Sequence, residues 1–169
     1  MARDVVKELG YLTLGTRLKR LGERLQSQAQ VLLDEAGVEF PASNFPVLAA
    51  LDRLGALNVG ELTEAVGTSQ PGVTRLLVKL ESDGLVQSTQ SADDRRVRTI
   101  ALTKSGRQLV SRSKREAWPV IEAAVADACG GQARPMLSVL TALEAALEQA
   151  PLRTRARRVR LAEKNDASA

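Results

Sequence analysis

The chain has 169 residues, and its 24 lysines and arginines against 20 aspartates and glutamates give a formal net charge of +4. It has one cysteine, Cys129, and no histidine, so an intrachain disulfide is excluded and the commonest metal ligand and proton shuttle is missing. No apolar run approaches the roughly 18 residues needed to span a bilayer, and the N-terminus lacks the apolar segment of a signal peptide. We therefore predict a cytoplasmic protein with no membrane segment, metal site or cofactor, and we expect no zinc, serine-triad or cysteine-protease chemistry.

A leucine seam predicts one long amphipathic helix over about residues 5–35, ended by Gly37. The seam advances in alternating steps of four and three, through Leu14, Leu18, Leu21, Leu25, Gln28 and Leu32. This face either covers the core of the same chain or packs against a second chain. We favour the second interpretation, because this helix and a later leucine-rich helix offer more apolar surface than one small domain can cover.

Two shorter helices are predicted next. The first spans about 43–54 and is closed by Gly55. Asn58 followed by Glu61 resembles a capping box and opens a third helix, which extends to about Val66.

Gly67 then separates the third helix from a fourth, which Ser69 is expected to cap and which runs to about Asp83. Apolar residues on both sides of the glycine show the spacing of a helix-turn-helix, namely Leu62, Val66, Val73 and Leu76. Arg can bind guanine bidentately and Gln can pair with adenine, while Gly72 lets the backbone approach closely. The predicted DNA-contacting residues of this helix are Ser69, Gln70, Pro71, Gly72, Thr74, Arg75 and Lys79. The alternative is an ordinary packed helix pair.

Residues 85–90 and 97–102 alternate in polarity and predict an antiparallel hairpin around a 91–96 turn. Arg98 is assigned to a backbone or strand role. The charge here is local: residues 68–115 hold ten bases and four acids, a net +6. A helix beside a basic hairpin suits the two grooves of DNA, although a solvated basic surface would show the same charge.

The C-terminal part is predicted to be helical as far as Gln149. Thr103 caps a fifth helix that runs to about Ala128 with a kink at Pro119, and a sixth carries Met136, Leu140, Leu143 and Leu147. From Pro151 onward an arginine-rich tail is expected to be a solvated extension, disordered at its end, that adds at most phosphate contacts. The predicted fold class is mainly α, with about six helices and a short β-hairpin wing.

Three segments resemble the winged helix-turn-helix of the MarR family of bacterial transcription regulators. They are Ser69-Gln70-Pro71-Gly72-Val73-Thr74-Arg75-Leu76, Leu80-Glu81-Ser82-Asp83-Gly84-Leu85-Val86, and Asp94-Arg95-Arg96 through Leu102-Thr103-Lys104-Ser105-Gly106. The resemblance covers roughly residues 5–150. It implies a homodimer whose terminal helices interlock and whose two winged domains bind a palindromic site on double-stranded DNA.

By position, Arg96 resembles the wing-tip arginine that enters the minor groove, and Asp94 resembles the acid that orients it. A carboxylate two residues away holds a guanidinium in one geometry and lowers the entropy lost on insertion. Arg95 is then a phosphate contact. The alternative is that Asp94 and Arg96 form a surface ion pair of little energetic weight.

The resemblance also suggests four regions and a class of effector. The regions are an N-terminal dimerisation helix (1–36), the winged helix-turn-helix (37–107), C-terminal dimerisation helices (108–150) and the basic tail (151–169). The first helix lacks the reactive cysteine of redox-sensing relatives, so a small organic ligand is the remaining effector of the family. Its candidate pocket residues are Tyr11, Arg17, Phe45 and Trp118. The alternative is that these four are ordinary core or surface residues.

We predict a homodimeric transcriptional repressor that binds a palindromic operator and is released by a small molecule. The alternative is a winged-helix protein–protein assembly module with an acidic partner. An enzyme is not expected, because no nucleophile–base pair is visible.

Overall fold

The structure is a computed structural model and describes residues 3–90 and 98–166. Its contacts divide the chain into two compact units, Met1–Glu122 and Ala123–Ala169. The described residues form nine α-helices: α1 Val5–Glu8, α2 Leu14–Glu35, α3 Phe45–Leu54, α4 Val59–Val66, α5 Gln70–Ser82, α6 Lys104–Glu116, α7 Trp118–Ala128, α8 Ala133–Gln149 and α9 Leu152–Asp166. Three short 3-10 helices lie at Gly10–Thr13, Ala42–Asn44 and Gly130–Gln132. None of the described helices has the length and apolar character that crossing a membrane requires.

A small antiparallel sheet completes the first unit, with strands β1 Leu57–Asn58, β2 Val86–Gln90 and β3 Arg98–Leu102 in the order β1-β3-β2. Ile100 on the central strand lies opposite both Leu57 and Ser88. The antiparallel pairing of β2 with β3 was predicted and is confirmed, and the predicted 91–96 turn lies outside the described residues. The third strand, β1, was not predicted, because two residues are too short to show a period.

The core of the first unit lies between the sheet and the helices around it. Helices α2 to α6 all contribute fully buried side chains to it. These include Leu33, Leu48, Leu62, Val73, Leu80 and Val110. Val86, Ile100 and Leu102 cover one face of the sheet. The mainly α winged helix-turn-helix fold class is thereby confirmed.

The predicted long first helix is divided in the structure. Gly10 has φ of +56°, a left-handed conformation that glycine adopts without strain, and it ends the short α1 and starts a 3-10 turn. Only from Leu14 is the chain continuously helical, up to Glu35.

The predicted fifth helix, expected to kink at Pro119, instead stops and restarts. Helix α6 ends at Glu116, Ala117 has φ of −112°, and α7 begins at Trp118. Proline lacks the amide hydrogen that would bind the preceding turn, and its ring crowds the carbonyl four residues back. At Pro119 these two effects separate α6 from α7 instead of bending one continuous helix.

The basic tail is also helical, as α9, through Asp166. It follows α8 in the second unit, where the Arg155 guanidinium donates to the carbonyls of Ala146 and Ala150 (2.8 Å from Nε to Ala150 O). The Ala150 carbonyl lies just beyond α8, and the Ala146 carbonyl also accepts from the Ala150 amide (3.1 Å), so Arg155 adds to the end of α8 and joins it to α9. The tail was predicted to be a solvated extension and is instead helical as far as Asp166. Residues 167–169, at the end for which disorder was predicted, lie outside the described residues.

Candidate nucleic-acid interface

The α4–α5 pair is positioned by caps that the sequence showed. The Asn58 side chain accepts from the Glu61 amide (3.0 Å) and the Glu61 carboxylate accepts from the Asn58 amide (2.7 Å), so the predicted capping box is confirmed. Gly67 ends α4 with φ of +62°, the left-handed conformation that turns the chain towards α5. The two helices therefore meet at a fixed angle.

Ser69 occupies the N-cap position of α5, but its hydroxyl makes no capping hydrogen bond. The prediction that Ser69 caps this helix is wrong in its chemistry, although the backbone conformation is that of a cap. Its carbonyl accepts from the Val73 amide (3.0 Å), so the helix starts where it was predicted to start. The Ser69 side chain is exposed at the edge of the polar face.

Helix α5 has one apolar and one polar face. Val73, Leu77 and Leu80 are buried in the core and fix the helix against the rest of the first unit. The opposite face is open to solvent and carries most of the residues predicted to contact DNA, namely Gln70, Pro71, Thr74, Arg75 and Lys79. The helix thus presents a polar surface in a set orientation.

Local bonds hold several of these side chains. Thr74 Oγ1 donates to Gln70 O (2.9 Å), and Arg75 Nε donates to Pro71 O (3.3 Å). The Arg75 side chain therefore extends towards the N-terminal end of α5. The N–H groups of its two terminal nitrogens are not used in this bond. Lys79 Nζ lies 3.6 Å from an Asp83 carboxylate oxygen. On this face Arg75 is the cation without a described carboxylate partner, and Lys79 is partly neutralised.

Gly72 is half-buried at the start of α5. A Cβ there would lie 3.2 Å from Ser69 Oγ and 3.3 Å from Thr68 Cγ2, two exposed side chains that can move. The fold of this chain therefore does not itself demand glycine at position 72.

The base of the hairpin is tied to α5. Arg98 on β3 donates to the Ser88 hydroxyl on β2, and its Nη2 lies 3.5 Å from a Glu81 carboxylate oxygen on α5. This agrees with the strand role predicted for Arg98. Its partner Glu81 was not predicted, because nothing in the sequence shows that a residue 17 positions away lies beside Arg98. Asp94, Arg95 and Arg96 lie outside the described residues.

The start of α6 is locked to the start of β2. Thr103 caps α6, as predicted: its Oγ1 accepts from the Gly106 amide (3.1 Å) and donates to Gly84 O (2.6 Å). The Thr103 amide donates to Leu85 O (3.0 Å). Gly106 is buried, and a Cβ on it would lie 2.0 Å from Leu85 O. The Leu-Thr-x-x-Gly pattern is therefore explained by this close approach.

Two of the four predicted ligand-pocket residues meet in the structure. Phe45 and Trp118 pack edge to face with ring centroids 5.8 Å apart. Both line an apolar cavity of about 330 Å³, together with Ala29, Leu33, Ala42, Pro46, Ala49 and Ile121. The small side chains of Ala29 and Ala49 leave this space open, which an apolar periodicity in the sequence does not reveal.

The other two predicted ligand residues lie elsewhere. Tyr11 is 94% exposed. Arg17 lines a separate cavity of about 320 Å³ with Asp4, Lys7, Arg20, Leu21 and Arg24. Arg20 donates to both carboxylate oxygens of Asp4 and lowers the pKa of Asp4 below its ordinary value. The structure therefore does not gather the four residues into one pocket.

Comparison with protein families and curated proteins gives matches to the MarR family and to HTH-type transcriptional regulators. Residues 40–97 match the model of the MarR family. The chain is 34% identical over 89 residues to the HTH-type transcriptional repressor MdtR of Bacillus subtilis, covering 53% of this chain and 56% of MdtR. It is 28% identical over 110 residues to the uncharacterized HTH-type regulator YdgJ of the same organism, covering 62% of this chain and 67% of YdgJ. The chain thus spans little more than half the length of MdtR and about two thirds of YdgJ.

Solved structures agree. The transcriptional repressor CouR, bound to a 23-mer DNA duplex, is 29% identical with a TM-score of 0.67, covering 81% of this chain and 96% of CouR. The M. tuberculosis transcriptional regulator MOSR in complex with DNA is 25% identical with a TM-score of 0.64, covering 78% of this chain and 96% of MOSR. About four fifths of the chain therefore resembles these two proteins in fold.

Proposed function

We propose that this chain, whose residues 40–97 match the model of the MarR family, is a cytoplasmic DNA-binding transcriptional regulator of that family that acts as a homodimeric repressor. The two similar solved proteins named above are DNA complexes, which supports DNA as the partner. Two winged units about 34–36 Å apart would engage the halves of a palindromic operator.

The observation that carries this proposal is the two-faced α5. Its buried face fixes the helix by Val73, Leu77 and Leu80, so the exposed face is presented without a further ordering step. A helix fits the major groove of B-DNA, and residues near its N-terminus are those that reach base edges. We assign this role to the N-terminal half of α5.

Within α5, Gln70 and Arg75 are the proposed base-reading residues. Arg75 already has its Nε bound to Pro71 O, so its two terminal nitrogens are the donors left for guanine or phosphate. The Ser69 hydroxyl can donate to a phosphate oxygen, whereas the Thr74 hydroxyl must first leave Gln70 O. Lys79 is a phosphate contact that must first leave Asp83. Gly72 and Pro71 are assigned to close backbone approach. Arg96, Asp94 and Arg95 keep their predicted wing roles.

Exposed aliphatic side chains support the homodimer. Leu18 and Leu21 on the seam of α2 are 37% and 43% exposed, and the segment before it exposes Leu9 and Leu12. The middle of the seam is thus left open by its own chain, whereas Leu14, Leu25 and Leu32 are half-buried, and the open part favours the second of the two interpretations. On α8 in the other unit, Leu137, Val139 and Leu147 are also exposed. Each helix by itself therefore offers apolar surface of the kind that is found at protein interfaces.

We further propose that a small organic ligand releases the protein from DNA. The apolar cavity beside Phe45 and Trp118 supports this, because its volume of about 330 Å³ lies at the lower end of the range of ligand pockets. Arg17 remains a candidate contact for an anionic ligand, and Tyr11 a candidate at the surface.

A genome-wide binding footprint with the purified full chain tests the proposal and yields the operator. The expected result is a small set of palindromic sites. Affinity for such a site should fall about 10³- to 10⁵-fold between 50 and 200 mM salt if six to ten phosphates are neutralised per dimer. An absence of footprint, or an affinity that does not change with salt, would refute DNA binding, and a complex with an acidic protein would then point to an assembly module.

A further inference from the structure

The C-terminal helix α9 carries positive charge that the winged helix-turn-helix does not use. Residues 151–161 contain five arginines and no acidic residue. Arg155 is half-buried, and its guanidinium is bound to carbonyls at the end of α8. The other four are exposed, and no ion pair among the described side chains involves them: Arg153, Arg157, Arg158 and Arg160.

Three of these arginines share one face of α9. Positions 153, 157 and 160 are spaced by four and three residues, so their side chains project within about 60° of one another around the helix. From first to last they span about 10 Å along the axis at ~1.5 Å per residue. A length of about 10 Å along a DNA duplex contains about three phosphates of one strand. The arginine stripe therefore matches a phosphate backbone in both charge and spacing.

Like charges three or four residues apart destabilise an isolated helix, and α9 contains such pairs at Arg153–Arg157 and Arg157–Arg160. A polyanion along the stripe removes this repulsion. A lipid surface fits less well, because Leu152 and Val159 lie on one side of the helix and Leu161 on nearly the opposite side. Helices that lie in a membrane interface carry a broad continuous apolar face, commonly with aromatic residues, and α9 has neither.

We propose that α9 is a second DNA-binding element, which holds the phosphate backbone through Arg153, Arg157 and Arg160 without reading sequence. This rests on the proposed DNA-binding function. Arg155 joins α9 to α8, so the stripe is presented by a capped helix rather than by an extended chain. The element adds to affinity for any duplex and leaves the choice of operator to α5 and the wing.

The test compares the full chain with the R153Q/R157Q/R160Q variant on a random-sequence 40-base-pair duplex, by fluorescence anisotropy between 50 and 200 mM KCl. If three phosphate contacts per protomer are lost, the slope of log affinity against log salt becomes shallower by about 2.7 per engaged protomer. Over this fourfold salt range the affinity of the unmodified chain then falls about 40-fold more than that of the variant for each protomer whose α9 engages the duplex. The matched control R153K/R157K/R160K keeps the charges and should restore the slope.

Equal slopes and affinities for the unmodified chain and the Gln variant overturn the proposal. So does a Lys control that behaves like the Gln variant, because loss of helix structure rather than loss of charge would then be the cause. Binding to vesicles of 30% phosphatidylserine that depends on the three arginines, with DNA affinity unchanged, overturns it in favour of a lipid surface. If the unmodified chain binds no duplex at any salt, the proposed function fails, which is a distinct result.

Discussion

Replacement of Gly106 by alanine probes the contact that joins the winged hairpin to helix α6. A Cβ at this position would lie 2.0 Å from Leu85 O, 3.1 Å from the Leu85 carbonyl carbon and 3.2 Å from Leu102 Cδ2. An ordinary carbon–oxygen contact is about 3.3 Å, so the helix start must move by roughly 1 Å from the strand. The backbone at Gly106 has no positive φ, so steric overlap alone makes alanine unfavourable.

This movement has two costs. Overpacking of a buried site lowers the free energy of unfolding by about 1–3 kcal/mol. The same shift stretches the hydrogen bond from the Thr103 amide to Leu85 O, which contributes about 1 kcal/mol. We therefore expect Gly106→Ala to lower the free energy of unfolding by about 2–4 kcal/mol, against which the helix propensity of alanine returns less than about 1 kcal/mol.

Urea unfolding followed by far-UV circular dichroism at one fixed protein concentration measures this difference. Gly72→Ala is the matched control, since it makes the same chemical change in a helical first turn but meets only movable side chains. Its free energy of unfolding should stay within about 1 kcal/mol of the unmodified chain, because the helix propensity of alanine offsets the small displacement of Ser69 and Thr68. A Gly106→Ala variant as stable as the Gly72→Ala control would refute the close approach on which this reasoning depends.

Three further predictions concern the DNA-binding face and the pH dependence of stability. Gly72→Ala, although folded, is expected to weaken operator binding about tenfold or more, equivalent to about 1.4 kcal/mol, because its methyl group separates the backbone from DNA; unchanged affinity in an anisotropy titration would remove Gly72 from the interface. Arg96→Ala is expected to weaken operator binding by about tenfold at fixed salt while size-exclusion chromatography still shows the dimer, with Lys at position 96 recovering less than full affinity. The Arg112 guanidinium donates to Glu116 at 2.8 Å and lowers the pKa of Glu116 below its ordinary value. The stabilising contribution of this pair is therefore fully present at a pH above the ordinary pKa of a glutamate and is lost as the pH falls through the lowered pKa of Glu116. The stability difference between the unmodified chain and Glu116→Gln should therefore be larger at pH 7 than at about pH 3, and a difference independent of pH would contradict this pairing.

The parts of the fold predicted from sequence are those set by local chemistry. Asn58 with Glu61, and Thr103 with Gly106, are caps whose partners lie three residues apart, so the sequence itself contains the whole interaction. The apolar face of α5 was predicted in part: Val73 is buried as expected, Leu76 is half-buried, and the buried Leu77 and Leu80 were not named.

The parts that were missed depend on residues far apart in the chain or on competing signals. Strand β1 exists because Leu57 pairs with Ile100, 43 positions later. Helix α9 was not predicted. Arginine has a high helix propensity, but five arginines within residues 151–161 are also typical of a solvated tail. The cap that Arg155 provides for α8 cannot be distinguished in the sequence from its four arginine neighbours.

For the candidate site too, the features set by local sequence were predicted and those set by contacts between distant residues were not. The exposed residues of α5 were named correctly as surface residues, whereas the Phe45–Trp118 cavity depends on the small Ala29 and Ala49 brought together by α2 and α3. Tyr11 and Arg17 were predicted to share a pocket with Phe45 and Trp118 from the family resemblance alone. The position of a residue in the sequence does not determine which cavity its side chain lines.

The link from Arg98 to Ser88 and Glu81 has a consequence for the kinetics of the proposed DNA binding. These contacts, with the buried Leu80 and Val86, join helix α5 to the base of the hairpin in the free chain. Ordering a free segment costs roughly 1–2 kcal/mol per residue, and neither element has to be ordered when it meets DNA. Under the proposed function, association is then limited by orientation and electrostatic steering rather than by a folding step. A ligand that displaces α5 would also displace the base of the hairpin, so we expect both sets of proposed contacts to be lost together.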